Sequence, residues 1–211
     1  MRRLILLDFD GTLFDTRSFA QEMARIFMDY GETDFFATFP KNEFGTYSLR
    51  EHLLIVPTNA RRKAVKRQMR KLFLRCPEFL FDDTIGFLSR LRQDPRNTII
   101  IVTRGEREYQ YKRVYMAFAG FKPLLDKVVV VEDKTKARHI KDLISSYVGW
   151  PGSFKHVFFV DDTQRELRDA KAAVPSLRVI LIDRYSSDPK ISSGFFVRNL
   201  GDTIKIIHAS G

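Results

Sequence analysis

The sequence of 211 residues holds one cysteine, Cys76. A lone thiol excludes an intramolecular disulfide framework, and there is no Cys/His cluster spaced to ligate zinc. Long apolar runs are missing too. Nothing approaches the roughly 18–20 residues of a membrane-spanning helix, so no membrane partner is expected. The opening MRRLILL is too short for the apolar core of a signal peptide, and a cytoplasmic location is expected. Internal repeats and low-complexity tracts are absent. Acidic residues are absent as well between Glu51 and Glu78. What remains suits one full domain, or one domain with a modest insert, large enough to bury a substantial core.

Positive charge is in excess, with a formal net charge of +10. That balance fits anionic metabolites or nucleic acid as partners, and it fits plain solubility equally well. Much of it falls on HLLIVPTNARRKAVKRQMRKLFLRCP, where Thr58 or Asn59 can cap a helix running to about Arg75. Ala64 or Val65, Met69, Leu72, Phe73 and Cys76 make its apolar stripe. Arg62, Lys63, Lys66, Arg67 and Arg70 lie mainly off that stripe. A solvated helix face is the simplest reading, and a basic lid over an anionic ligand is the functional one.

The densest stretch is LILLDFDGTLFD, Leu4 to Asp15. Four aliphatic residues predict a strand buried on both faces. Asp8 and Asp10 follow at period two, and they share a side if the extension continues. An Asp-Gly turn accounts for the pair structurally. Carboxylates at the end of a buried strand also suit a divalent cation that offsets their charge.

Beyond Asp15, Thr16 or Ser18 can cap a helix carrying Phe19, Met23, Ile26 and Phe27, ended by Tyr30-Gly31. Residues 31 to 50 read as a loop or short helices. From Leu80 the pattern alternates. Further strands are expected at Thr98 to Gly105, Lys127 to Val131, His156 to Val160 and Leu177 to Ile182, with one more short apolar run at Phe195 to Val197. Helices are expected after Asp82-Asp83-Thr84, through Tyr109 to Phe118, from Lys134 to Val148, from Glu166 to Val174 and near Asp202 to Ile207. This alternation predicts an α/β fold: a Rossmann-like parallel sheet with helices on both faces. Ligands then sit at the carboxyl ends of the strands. Asp8 and Asp10, Thr103, Lys134 and Asp161-Asp162 all fall there.

Asp8-Phe9-Asp10-Gly11-Thr12, Thr103 in IIIVTRG, a lysine near the start of the helix after the third strand, and Asp161-Asp162 in VFFVDD together resemble the four motifs of the haloacid dehalogenase superfamily. The resemblance covers nearly the whole chain. It implies a core of residues 1–15 and 81–211, with 16–80 as a helical cap inserted after the first motif. It implies Mg²⁺-dependent phosphoryl transfer through an aspartyl-phosphate. Asp8 would be the nucleophile and Asp10 the acid/base, which requires a raised pKa at Asp10 and an ionised Asp8. Asp161 and Asp162 would hold Mg²⁺ with Asp8 and the backbone carbonyl of Asp10. Thr103 and the lysine would bind phosphoryl oxygens, alongside the loop segments at Phe9, Thr12, Arg104 and Gly105. Lys134 is preferred as that lysine, with Lys136 the alternative. Glu166 reads as a solvated helix residue, or else as a partner behind the acidic pair.

Asp10 points to phosphatase chemistry, because the dehalogenases of the superfamily lack this carboxylate. The expected activity is phosphomonoester hydrolysis on a small phosphorylated metabolite, a nucleotide or sugar phosphate among them. The alternatives are a binding module for nucleic acid or an acidic partner, and a nucleic-acid end phosphatase. Arg50, His52, Arg61 and Arg62 are candidate substrate contacts, and Phe14 and Asp15 lie at the expected hinge.

Overall fold

The structure is a computed structural model, and it describes residues 2–32, 34–37, 39–41, 45–147, 154–185 and 194–209. Six strands form one parallel sheet in the order β3-β2-β1-β4-β5-β6. They are β1 (Arg3–Leu7), β2 (Asn97–Arg104), β3 (Lys127–Val131), β4 (His156–Asp161), β5 (Arg178–Ile182) and β6 (Phe195–Val197). The chain builds outward from β1 to β3, then returns to β1's other side for β4. The adjacent pair β1 and β4 is therefore the topological switch point, where a crevice opens at the carboxyl ends of the strands.

Strand parity sorts the core into two layers. Ile5, Leu7, Ile99, Ile101, Phe158 and Val160 join one apolar cluster. Leu4, Leu6, Ile100, Val102 and Phe159 join the other. The first layer packs under α1 (Thr16–Met28), α3 (Asn59–Leu74), α4 (Thr84–Arg92), α5 (Arg107–Ala117) and α8 (Leu200–Ala209). The second packs under α6 (Ala137–Ser146) and α7 (Gln164–Ala173). Helices on both faces of a parallel sheet are the architecture that the alternation predicts.

Local signals explain most element bounds. Thr58 caps α3, its hydroxyl accepting from the Arg61 N–H at 3.2 Å, and Val65, Met69, Leu72 and Phe73 are the buried stripe. The cap of α1 is neither Thr16 nor Ser18. It is Asp15, whose carboxylate takes both the backbone N–H and the hydroxyl of Ser18. A short helix, α2 (Leu49–Ile55), begins at the end of the stretch from 31 to 50, with Ser48 as its cap. α6 begins at Ala137, three residues later than expected; the expected end at Val148 lies outside the described residues.

Two strand-like connections join residues 16–78 to the sheet, and they lie side by side. The Asp15 N–H donates to the Phe79 carbonyl at 2.7 Å, and the Phe81 N–H to the Leu13 carbonyl at 3.1 Å. Phe14, in the first of them, is fully buried.

Candidate active site

Strand β1 ends at Leu7, and the chain bends after Asp8. The bend separates the two aspartates that continued extension would have kept on one side. Asp8 stays with the even residues, on the side of α6 and α7. Asp10 turns to the side of α1 and α5. Gly11 permits the turn with φ +77°, and a Cβ there would lie 2.1 Å from Asp162 Oδ2. The glycine thus serves the backbone turn and the close approach of the Asp162 carboxylate, just after β4, together.

On the first side, Lys136 Nζ donates to Asp8 Oδ1 at 2.5 Å and to Asp161 Oδ2 at 2.7 Å. All three residues are buried. The structure corrects the preference for Lys134, which is exposed; its carbonyl accepts from the Arg104 guanidinium at 2.9 Å. The reason is the late start of α6. Lys136 is the residue immediately before the helix, the position expected of the lysine. Glu166 is corrected as well. It is buried rather than solvated, and it takes the Lys136 backbone N–H at 2.9 Å and the Thr135 hydroxyl at 3.2 Å. It therefore fixes the segment that carries the lysine. Arg104 lies 3.7 Å from its other oxygen.

Burial raises the Asp8 pKa well above the usual carboxylate range; Lys136 opposes this, and Asp161, Asp162 and Asp10 add to it. Burial also raises Asp161 against the pull of Lys136. Asp162 remains exposed as a residue, yet protein crowds its carboxylate, and that crowding with the Asp161 charge pushes it up to about 6. Lys136 is held cationic, its burial outweighed by Asp161 and Asp8. Three carboxylates thus meet one ammonium.

On the second side, burial is the largest influence on Asp10 and would raise its pKa, but the Arg113 charge and hydrogen bonds from Arg113, Thr16 and Gln110 together outweigh it and lower the pKa. Arg113 and Thr16 donate to Asp10 Oδ1 at 2.5 Å each, and Gln110 Nε2 to Oδ2 at 2.7 Å. Arg113 is itself buried, its guanidinium 4.7 Å from the Phe14 ring centroid and 5.0 Å from that of Phe19. The expected order, a raised Asp10 beside an ionised Asp8, is reversed in this structure. Sequence spacing gave no sign of Arg113 or Gln110, which lie 103 and 100 positions from Asp10.

The other expected residues divide. Thr103 is fully buried on the Asp10 side, its hydroxyl 3.3 Å from Gln110 Nε2. Thr12 is buried with its hydroxyl unpartnered among the described residues. The Phe9 side chain is core, stacked on Phe14 at 4.7 Å. The Gly105 N–H is engaged by the Val131 carbonyl at 3.1 Å. Arg50 and Arg62 line a separate cavity, and Arg61 is exposed. His52 is not at a ligand surface: it is fully buried, stacked on Phe27 at 4.1 Å, with Nε2 2.8 Å from Glu32 and Nδ1 3.0 Å from the Tyr47 hydroxyl.

Asp8, Asp161 and Asp162 each offer a carboxylate oxygen, and these oxygens lie within 4.8 Å of one another. Three carboxylates share the one ammonium of Lys136. An all-oxygen donor set with that excess of carboxylates fits a hard divalent cation. No helix among the described residues is long and apolar enough to cross a membrane.

Comparison with solved structures gives the same architecture. A haloacid dehalogenase-like hydrolase from Burkholderia xenovorans aligns with a TM-score of 0.70 at 20% identity, over 96% of this chain and 97% of its own. The HAD-hydrolase YfnB of Bacillus subtilis, solved bound to magnesium, aligns at 0.61 and 18%, over 98% of each chain. A predicted phosphoglycolate phosphatase from Haemophilus somnus aligns at 0.62 and 17%, over 98% of each chain. No curated protein matches by sequence. The family model for haloacid dehalogenase-like hydrolases matches residues 2–173. With the family pattern spanning most of the chain and the sheet built to the same plan, this protein belongs to the haloacid dehalogenase-like hydrolases.

Proposed function

We propose that this hydrolase is a Mg²⁺-dependent phosphomonoester hydrolase acting on a small phosphorylated metabolite. The observation that carries the reading is the under-neutralised cluster of Asp8, Asp161, Asp162 and Lys136 at the switch point. Asp8, Asp161 and Asp162, with the Asp10 backbone carbonyl, would hold the ion. When bound, Mg²⁺ offsets negative charge on the carboxylates and on the phosphoryl group.

Asp8 attacks phosphorus; the Asp8 oxygen–phosphorus bond forms as the bond to the leaving oxygen breaks. Asp10 gives that oxygen its proton. Water then attacks the aspartyl-phosphate, Asp10 takes the water's proton, and Asp8 is released with inorganic phosphate. Lys136 and Thr103 bind phosphoryl oxygens and stabilise charge that grows there. The lowered pKa of Asp10 suits the second half, in which it takes a proton. The first half needs a protonated Asp10, so the reading includes a step in which Arg113 and Gln110 release their hold on it.

Residues 16–80 act in this reading as a helical cap on the core of 1–15 and 81–211. Phe14 and Asp15, with the partner connection Phe79–Phe81, form its hinge. Support comes from the paired connections and from a cavity of about 250 Å³ that Asp10, Thr16, Tyr47, Arg104 and Arg113 line together. A phosphomonoester panel run with Mg²⁺ on wild type and Asp8→Asn tests the function. Turnover of at least one substrate that disappears in Asp8→Asn is expected; a silent panel with well-folded, metal-loaded enzyme refutes it.

The exposed cations of α3 favour a second reading, in which that face binds nucleic acid, either as a binding module or to guide a terminal phosphate to Asp8. Affinity for an oligonucleotide that falls steeply with salt and survives Asp8→Asn supports a binding surface. Absence of binding at low salt removes both forms.

A further inference from the structure

A cavity of about 620 Å³ opens between α2, α3 and α5, and none of the motif aspartates lines it. Tyr109 is the residue it shares with the smaller cavity that reaches Asp10. Five cations line it: Arg50 from α2, Arg62, Lys63 and Lys66 from α3, and Lys112 from α5. Against them stand two carboxylates, Glu106 and Glu108, so three positive charges remain in excess. Arg62 donates to the Val56 carbonyl at 2.9 Å, and Lys112 Nζ lies 4.4 Å from the Phe73 ring centroid. Arg50, Lys63, Lys66 and Lys112 form no salt bridge among the described residues.

Lysines on a helix surface need no ligand to explain them. Glu106 is an observation of another kind. It lines the same cavity, yet its Oε2 is buried with no hydrogen-bond partner among the described residues. A buried carboxylate oxygen without a donor is costly and rare in a folded protein. Cations for anionic groups, an orphaned acceptor for a donor, and the apolar Leu49, Leu53 and Phe73 occur on one wall system. The volume falls within the range of small-ligand sites, about 300–1,000 Å³.

We propose that this cavity is a second ligand site, separate from the aspartates, for a phosphorylated molecule bearing at least two anionic groups and a hydroxyl or amino donor. Lys63, Lys66 and Lys112 take the phosphates, and the Glu106 carboxylate accepts the donor. A nucleoside diphosphate has this chemistry, and inorganic tripolyphosphate has its charge without the donor. The site does not depend on phosphoryl transfer, so its test is made without metal or turnover.

Titration calorimetry of the full chain in EDTA, with adenosine diphosphate and with tripolyphosphate, decides it. Saturable one-to-one binding of both is expected. Lys63→Ala/Lys66→Ala weakens both by about tenfold or more. Glu106→Leu weakens the nucleotide by about two- to tenfold and spares tripolyphosphate; Glu106→Gln, which keeps an acceptor, retains the nucleotide. Arg67→Ala/Arg70→Ala, on exposed cations of α3 outside the cavity, leaves both ligands unchanged. The proposal is overturned by no saturable binding, by binding of tripolyphosphate alone, or by affinity indifferent to Lys63 and Lys66. It is also overturned if the Arg67/Arg70 variant loses as much as the Lys63/Lys66 variant, since attraction is then general to the helix, as for a nucleic-acid surface. Should Glu106→Leu fail to fold, Glu106→Gln and the two double variants of α3 still separate these outcomes.

Discussion

The carboxyl edge of the sheet carries one charged cluster on each face, and the two are built differently. On the α6 and α7 face, Asp8, Asp161 and Asp162 share a single ammonium, Lys136. On the α1 and α5 face, Asp10 has a guanidinium to itself, with Gln110 and Thr16 completing its shell. The first cluster has more carboxylates than cations, and the second is self-sufficient. The two aspartates of one motif are thereby set apart: Asp8 shares its ammonium with Asp161 and Asp162, while Asp10 has a guanidinium of its own. The two clusters differ in neutralisation more than in the aspartates themselves.

The hardest test of this contrast is to remove the group on which the open cluster depends. Asp8→Asn should bring phosphatase turnover to background, as should chelation of metal; metal added back rescues the chelated wild type alone. Lys136→Met should lower kcat by about 10²–10³, as for loss of one preorganised charge partner, whereas Lys134→Met stays within about twofold. Equal losses would erase the distinction between the two lysines. Arg113→Met strikes the closed cluster. It leaves the half-buried Asp10 without its cation, and urea unfolding should show a loss of up to about 3 kcal/mol, the lower end for a fully buried pair. An undisturbed midpoint would mean that the pair is not self-sufficient. Glu166→Gln should cost about 1–2 kcal/mol or less and reduce kcat less than Lys136→Met, because it loosens the lysine's segment without removing the charge.

The smallest effect lies away from both clusters, at His52. Burial holds its pKa below 6.5, with Glu32 opposing. Between the folded value and 6.5 the unfolded chain binds the extra proton. Stability from this residue is therefore complete above about pH 6.5 and declines as pH falls toward the folded value. Urea midpoints at about pH 5.5 and pH 7.5 should differ less in His52→Phe than in wild type, after both are measured in the same salt.

Local pattern made the sheet legible. Leu4 to Leu7, Ile99 to Val102 and Phe158 to Val160 are apolar on both faces, and the polar residues that end those strands mark the crevice. Lys136 was harder to assign, because choosing it needed the first residue of α6, and Ala137 carries no capping signature. Glu166 looked solvated because its partners are about 30 residues away, at Lys136 and Thr135. Arg113 reads as one more basic helix residue until α5 is laid over Phe14 and Phe19. His52 misled in the opposite sense, since a histidine beside basic residues suggests a ligand surface, and only the rings of Phe27 and Phe35 reveal it as core.

The side-by-side connections at Leu13–Asp15 and Phe79–Phe81 have a polymer-physics consequence. The long excursion leaves and rejoins the sheet at one point, with its ends already tied by Asp15 and Phe81. For a tethered loop, each doubling of length adds only about 0.6 kcal/mol of closure entropy. The sheet is therefore nearly indifferent to how much chain hangs from that tether. Closure entropy thus sets little limit on length changes in the parts of the excursion away from α1 and α3, while those two helices stay bound by their packing on the core.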